Sequence, residues 1–146
     1  MDRALVTSAA PYGIVSFELA GSLERAEAII QSWSERARSV AMLIQGFDYL
    51  YLIVYSAWFS MAAVSLGARL KGAWQSAGLL IGWSVLVAAA LDAVENYALI
   101  LQLLHGASSG HAHLALWCAL AKFALVGVAA AFLLVGVAAW MLRRRA

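Results

Sequence analysis

Apolar residues crowd into three long runs, each bounded by basic residues or glycine, and each predicts a helix that crosses a membrane. The runs cover about residues 40–67, 73–104 and 113–142. Lengths of roughly 28 to 32 residues exceed the ~20 needed to cross a bilayer core at 1.5 Å per residue. Arg36 and Arg38 precede the first run, Arg69 and Lys71 follow it, and Arg143, Arg144 and Arg145 close the third. Trp74, Trp83, Trp117 and Trp140 lie toward run ends, as an aromatic belt requires. The links, residues 67–72 and 106–110, are short, so neighbouring helices must run antiparallel. The expected fold class is an all-α membrane protein, an antiparallel bundle of three transmembrane helices preceded by an amphipathic helix.

Before the first run the pattern changes. Residues 1–21 read as an irregular segment, with a turn at Pro11-Tyr12-Gly13 and a stop at Gly21. They lack the clean apolar core of a cleavable signal peptide. Residues 22–39 read as an amphipathic helix lying at the membrane interface. Ser22 is its N-cap, and Glu24 and Glu27 sit at the positive end of the helix. Leu23, Ala26, Ile30, Trp33 and Ala37 recur at spacings of three and four, with charged residues on the other faces.

Composition agrees with a membrane protein. Of 146 residues, 64% are hydrophobic and 12% charged, with a mean hydropathy of +0.83. A soluble domain of this size carries more surface charge. The net charge of +2 and the absence of a basic patch exclude a nucleic-acid partner. A single cysteine, Cys118, excludes an intrachain disulfide.

The informative residues are those that break the apolar runs. Asp48, Asp92, Glu95 and Lys122 are ionisable groups at membrane depth, where they normally face the bundle interior and mark a function. Counting along antiparallel helices puts Asp48, Glu95 and Lys122 near one level, roughly 12 to 14 Å from one membrane face, with Asp92 a turn deeper. Helical periodicity groups Gln45, Asp48, Tyr49, Leu52, Tyr55 and Ser56 on one face of the first helix. Leu43, Phe47, Leu50, Ile53, Val54 and Met61 point elsewhere, toward lipid. In the second helix Ser84, Ala88, Asp92, Glu95, Asn96, Leu99 and Gln102 share a face, and in the third Ala115, Cys118, Lys122, Ala129 and Gly136 do. The candidate polar cluster is therefore Gln45, Asp48, Tyr49, Asp92, Glu95, Asn96 and Lys122, with Lys122 expected to pair with Glu95 or Asp48. Such a cluster either fixes helix register or holds a ligand.

Weaker signals add little. His105, His111 and His113 surround the second link, but flexible Ser108-Ser109-Gly110 gives them no fixed geometry, so they read as a solvated loop and no metal site is assigned. Gly78-x-x-x-Gly82 lets helices approach closely, within the chain or in a homo-oligomer. No nucleophile, phosphate-binding or haem motif is present, and no cofactor is assigned.

Several stretches carry a resemblance. Pro11-Tyr12-Gly13-Ile14-Val15-Ser16-Phe17-Glu18-Leu19-Ala20-Gly21, then Phe47-Asp48 with Tyr55-Ser56, and Leu91-Asp92-Ala93-Val94-Glu95-Asn96 resemble an uncharacterised family of small bacterial inner-membrane proteins. The resemblance implies a multi-pass protein of the bacterial inner membrane whose N-terminal segment belongs to the fold; Glu18 in that segment reads either as part of a lid over the pocket or as plain surface. Basic residues number five on the side of Arg69, Lys71 and the C-terminus against four on the other. The C-terminus is thus expected in the cytoplasm.

The reading that follows is a binding or complex-associated accessory protein rather than an enzyme. Its partners would be the lipid bilayer and a lipophilic or cationic small molecule or a larger membrane complex. The alternatives are a membrane enzyme acting on a lipid or isoprenoid by carboxyl acid/base chemistry, and an oligomeric proton or cation pathway.

Overall fold

The computed structural model describes residues 2–145. A 3-10 turn at Asp2–Ala4 is followed by five α-helices: α1 (Ile14–Glu18), α2 (Leu23–Ser32), α3 (Glu35–Leu70), α4 (Ala73–His105) and α5 (Ser109–Arg145). No strand occurs among the described residues. The architecture is all-α, and α3, α4 and α5 are each long and apolar enough to cross a membrane.

Capping residues set the boundaries. The Ser22 hydroxyl accepts from the Arg25 backbone N–H at 3.3 Å and opens α2. The amphipathic pattern predicts one helix to residue 39, but α2 stops at Ser32. Trp33 turns to extended backbone there (φ −93°, ψ 129°), and the Ser34 hydroxyl caps α3 by accepting from Ala37 at 3.2 Å. Ser108 opens α5 four residues before the sequence expectation, its hydroxyl accepting from the His111 N–H at 3.3 Å. The predicted turn at residues 67–72 narrows to Lys71 and Gly72, both with left-handed φ (61° and 59°), because Gly67 is a helix-packing residue. The Lys71 N–H closes α3 on the Gly67 carbonyl at 3.0 Å.

The α2 cap carries a first prediction. Glu24 is held below the ordinary glutamate range, first by its own backbone N–H and then by the Ser22 hydroxyl. A depressed carboxyl contributes stability that is present above its unfolded pKa and lost as pH falls through the folded one. Ser22→Ala should cost about 1 kcal/mol at neutral pH. Thermal unfolding in detergent should show that gap narrowing below the usual carboxylate range; a gap that widens there would contradict the assignment.

The chain divides into two compact units. The first comprises Met1–Tyr51 and Leu91–Leu120. Its core joins Leu5, Ala10, Phe17 and Ala20 from the N-terminal segment to Ile29, Trp33, Ala37, Ala41, Leu99, Ala112 and Ala115. The apolar face of α2 (Ala26, Ile29, Ile30) is buried inside this core. The Trp33 indole N–H donates to the Leu5 carbonyl at 2.8 Å, and its ring meets Phe17 edge-on at 5.4 Å. Thr7 and Ser32 hydroxyls bond at 2.8 Å.

The second unit comprises Leu52–Ala90 and Ala121–Ala146. Here α3 and α4 run antiparallel at close range. A Cβ on Gly78 would lie 2.5 Å from the Ala63 carbonyl oxygen, and one on Gly67 2.5 Å from that of Trp74. The Ser60 hydroxyl donates to the Gly82 carbonyl at 3.0 Å. Gly78-x-x-x-Gly82 therefore serves packing within the chain. On α5, Gly136 admits the Leu66 side chain, and Arg143 donates to the Leu70 carbonyl at 2.7 Å, satisfying an end of α3.

Candidate functional site

Helical periodicity creates a polar stripe on α4. Asp92, Glu95, Asn96, Leu99 and Gln102 recur at three- and four-residue steps, which places them on one face. All five are buried. On the part of α3 in the same unit, Gln45 is buried while Asp48 and Tyr49 are half-buried. Phe47, Leu50 and Tyr51 are exposed on the opposite side. The first unit thus holds six of the seven predicted cluster residues.

Two side-chain bonds fasten α3 to α4 at this level. The Asn96 amide N–H donates to Asp48 Oδ2 at 2.6 Å. The Tyr49 hydroxyl donates to the Ala93 carbonyl at 3.1 Å, one turn away along α4. Asn96 so spends its donor on a carboxylate, leaving its carbonyl pointing into the interior.

Three buried amide atoms have no hydrogen-bond partner among the described residues: Gln45 Nε2, Asn96 Oδ1 and Gln102 Oε1. Each side chain is only 1% exposed. A buried polar atom without a partner costs about 1–3 kcal/mol in proteins, and more in hydrocarbon. Gln102 was placed on this face by its spacing but not among the candidate residues; its period with Asp92 and Glu95 was the signal that could have included it.

Leu99 lies on the same stripe, one turn beyond Asn96, and belongs to the core built with Phe17 and Trp33. The N-terminal segment therefore packs next to the polar stripe. In α1, Phe17 and Ser16 are buried and Glu18 is half-buried.

Lys122 is buried as well, in the second unit, with its ammonium 5.1 Å from the Phe123 ring centroid. The histidines make local bonds near the start of α5. His111 Nδ1 lies 2.7 Å from the Ser108 hydroxyl, and His113 Nδ1 donates to the Ser109 carbonyl at 2.7 Å. His105 is exposed at the end of α4. Among the described residues, no three His, Cys, Asp or Glu side chains converge as metal ligands.

No family model matches the chain, and comparison with curated proteins and with solved structures gave no match.

Proposed function

We propose that this small integral membrane protein is a binding or accessory protein whose α3–α4 polar stripe holds a lipophilic molecule bearing an amine or other cationic group. The observation that supports this reading most is the set of buried amide atoms at Gln45, Asn96 and Gln102. Two of them are carbonyl oxygens, which accept from an N–H, and they share their helix face with Asp92 and Glu95. A cationic donor satisfies acceptors and offsets carboxylate charge together, whereas an anionic ligand would meet repulsion. The N-terminal segment, with Glu18, serves in this reading as the cover over one end of the site. The bacterial inner membrane, with the C-terminus in the cytoplasm, is its proposed location.

The test uses the whole chain purified in detergent. Native mass spectrometry should detect a co-purified adduct, and dodecylamine should bind more tightly than dodecanol. Asp92→Asn and Asn96→Leu should each weaken dodecylamine binding by about tenfold or more, the scale of one lost charge-assisted hydrogen bond. Equal binding of amine and alcohol, or binding unchanged in Asp48→Asn, Asp92→Asn and Glu95→Gln alike, would discard the assignment.

A further inference from the structure

Charge is segregated along this chain, with every acidic side chain in one unit and most basic side chains in the other. All eight acidic residues fall within residues 1–51 and 91–120, together with four of the ten basic ones. The other six basic residues, Arg69, Lys71, Lys122, Arg143, Arg144 and Arg145, fall within residues 52–90 and 121–146, which contain no carboxylate side chain. The cluster of Arg69, Lys71 and Arg143 to Arg145 therefore has no carboxylate side chain within its own unit.

That unit also has a groove to seat such a ligand. It encloses about 270 Å³ between α3 and α5, and its lining includes Trp58, Leu66, Arg69, Leu133 and Trp140. Among the described residues, Arg69 is the sole charged group in the lining. Its guanidinium stands 5.7 Å from the Trp140 ring centroid, which fixes the cation at the groove's end. Lys71, one residue beyond α3, is exposed. From Arg69 to Trp58 the helix rises about 16 Å, close to the ~15 Å of one leaflet's hydrocarbon. An apolar channel one leaflet deep, with a cation at its interfacial end, matches an acyl chain below a phosphate.

A second groove of about 440 Å³, lined by Trp74, Leu80, Phe132 and Val135 among others, supplies the contrast. Among the described residues its lining carries no charge, so nothing there would select a lipid headgroup.

We propose that the Arg69 groove is a binding site for one anionic phospholipid, with its phosphate on Arg69 and an acyl chain along Leu66, Leu133 and Trp58. Arginine matches the planar oxygen pair of a phosphate, and each basic residue at a membrane surface contributes a several-fold preference for anionic lipid. The site is separate from the polar stripe of the first unit and does not depend on the reading given to it.

The whole chain in detergent micelles, titrated with phosphatidylglycerol and phosphatidylcholine and followed by native mass spectrometry, tests this. Wild type should retain one phosphatidylglycerol in preference to phosphatidylcholine by roughly five- to tenfold. Arg69→Gln should bring that ratio near one, and the exposed Arg25→Gln should leave it intact. Brominated phosphatidylglycerol should quench tryptophan fluorescence less in Trp58→Phe than in wild type, a readout that needs no change of charge. A preference that survives Arg69→Gln, or falls as far in Arg25→Gln, or quenching that Trp58→Phe leaves unchanged, would overturn the proposal.

Discussion

Trp33→Ala should destabilise the protein by about 3–5 kcal/mol, the range for truncating a buried large aromatic side chain. Three losses coincide at this residue. The ring, only 2% exposed, leaves a cavity in the core of the first unit. Phe17 loses its edge-on partner at 5.4 Å. The Leu5 carbonyl loses its donor at 2.8 Å and is left buried without one. Trp33→Phe separates these effects. It keeps an aromatic ring against Phe17 but removes the indole N–H and leaves a smaller cavity than alanine does, so its cost should be about 1–3 kcal/mol. Thermal unfolding in detergent measures both, and limited proteolysis should show cleavage before residue 21 rising in the same order. Equal effects of the two substitutions would mean that the hydrogen bond alone holds the segment. Two neutral effects would mean that the N-terminal segment is not anchored there.

The membrane-spanning helices were legible because lipid imposes a simple rule on their faces. Around α3, Leu43, Phe47, Leu50, Ile53, Val54 and Met61 are all exposed, while Gln45, Tyr55 and Ser56 are buried. The same period placed Asp92, Glu95, Asn96 and Gln102 on the interior side of α4. A hydrocarbon solvent makes that partition steep, since a misplaced amide or carboxylate has no water to turn to. What the period could not reveal was the break at Trp33. Its apolar spacing continues through Ala37, and only the run Ser32-Trp33-Ser34 hints that a hydroxyl could start a new helix. The core built from Leu5, Ala10 and Phe17 was equally hidden, because Leu5 and Ala10 sit on irregular backbone and Phe17 on a five-residue helix too short to show a repeat. Gly67 misled for a related reason. A glycine before Arg69 and Lys71 reads as a turn, yet it is buried within α3, where its missing side chain admits the Trp74 carbonyl. The charge segregation that motivates the Arg69 site was visible in residue order alone, but it acquired meaning only once the two compact units were known.

Gly78→Leu should be the most damaging substitution in the second unit, with Gly78→Ala milder but still costing about 1–3 kcal/mol through overpacking. The reason is what the new Cβ would strike. At Gly78 it lies 2.5 Å from the Ala63 carbonyl oxygen and 3.2 Å from the Gly67 Cα, both backbone atoms that yield only if α3 and α4 separate. Separation would also strain the Ser60 bond to the Gly82 carbonyl. Gly82→Ala meets softer neighbours, the Val64 Cγ2 at 3.0 Å and the Ser60 Oγ at 3.1 Å, which can rotate by a few tenths of an ångström. It should therefore cost less than Gly78→Ala. Gly127→Ala has nothing within 4 Å of its new Cβ and should be neutral, or stabilising by up to about 1 kcal/mol through helix propensity. The expected order of melting temperatures in detergent is Gly127→Ala, then Gly82→Ala, then Gly78→Ala, then Gly78→Leu at the bottom. A flat series would show that the α3–α4 approach at Ala63 is not a close one. If Gly78→Leu kept its melting temperature but changed the mass of the particle, the motif would belong to a contact between chains instead.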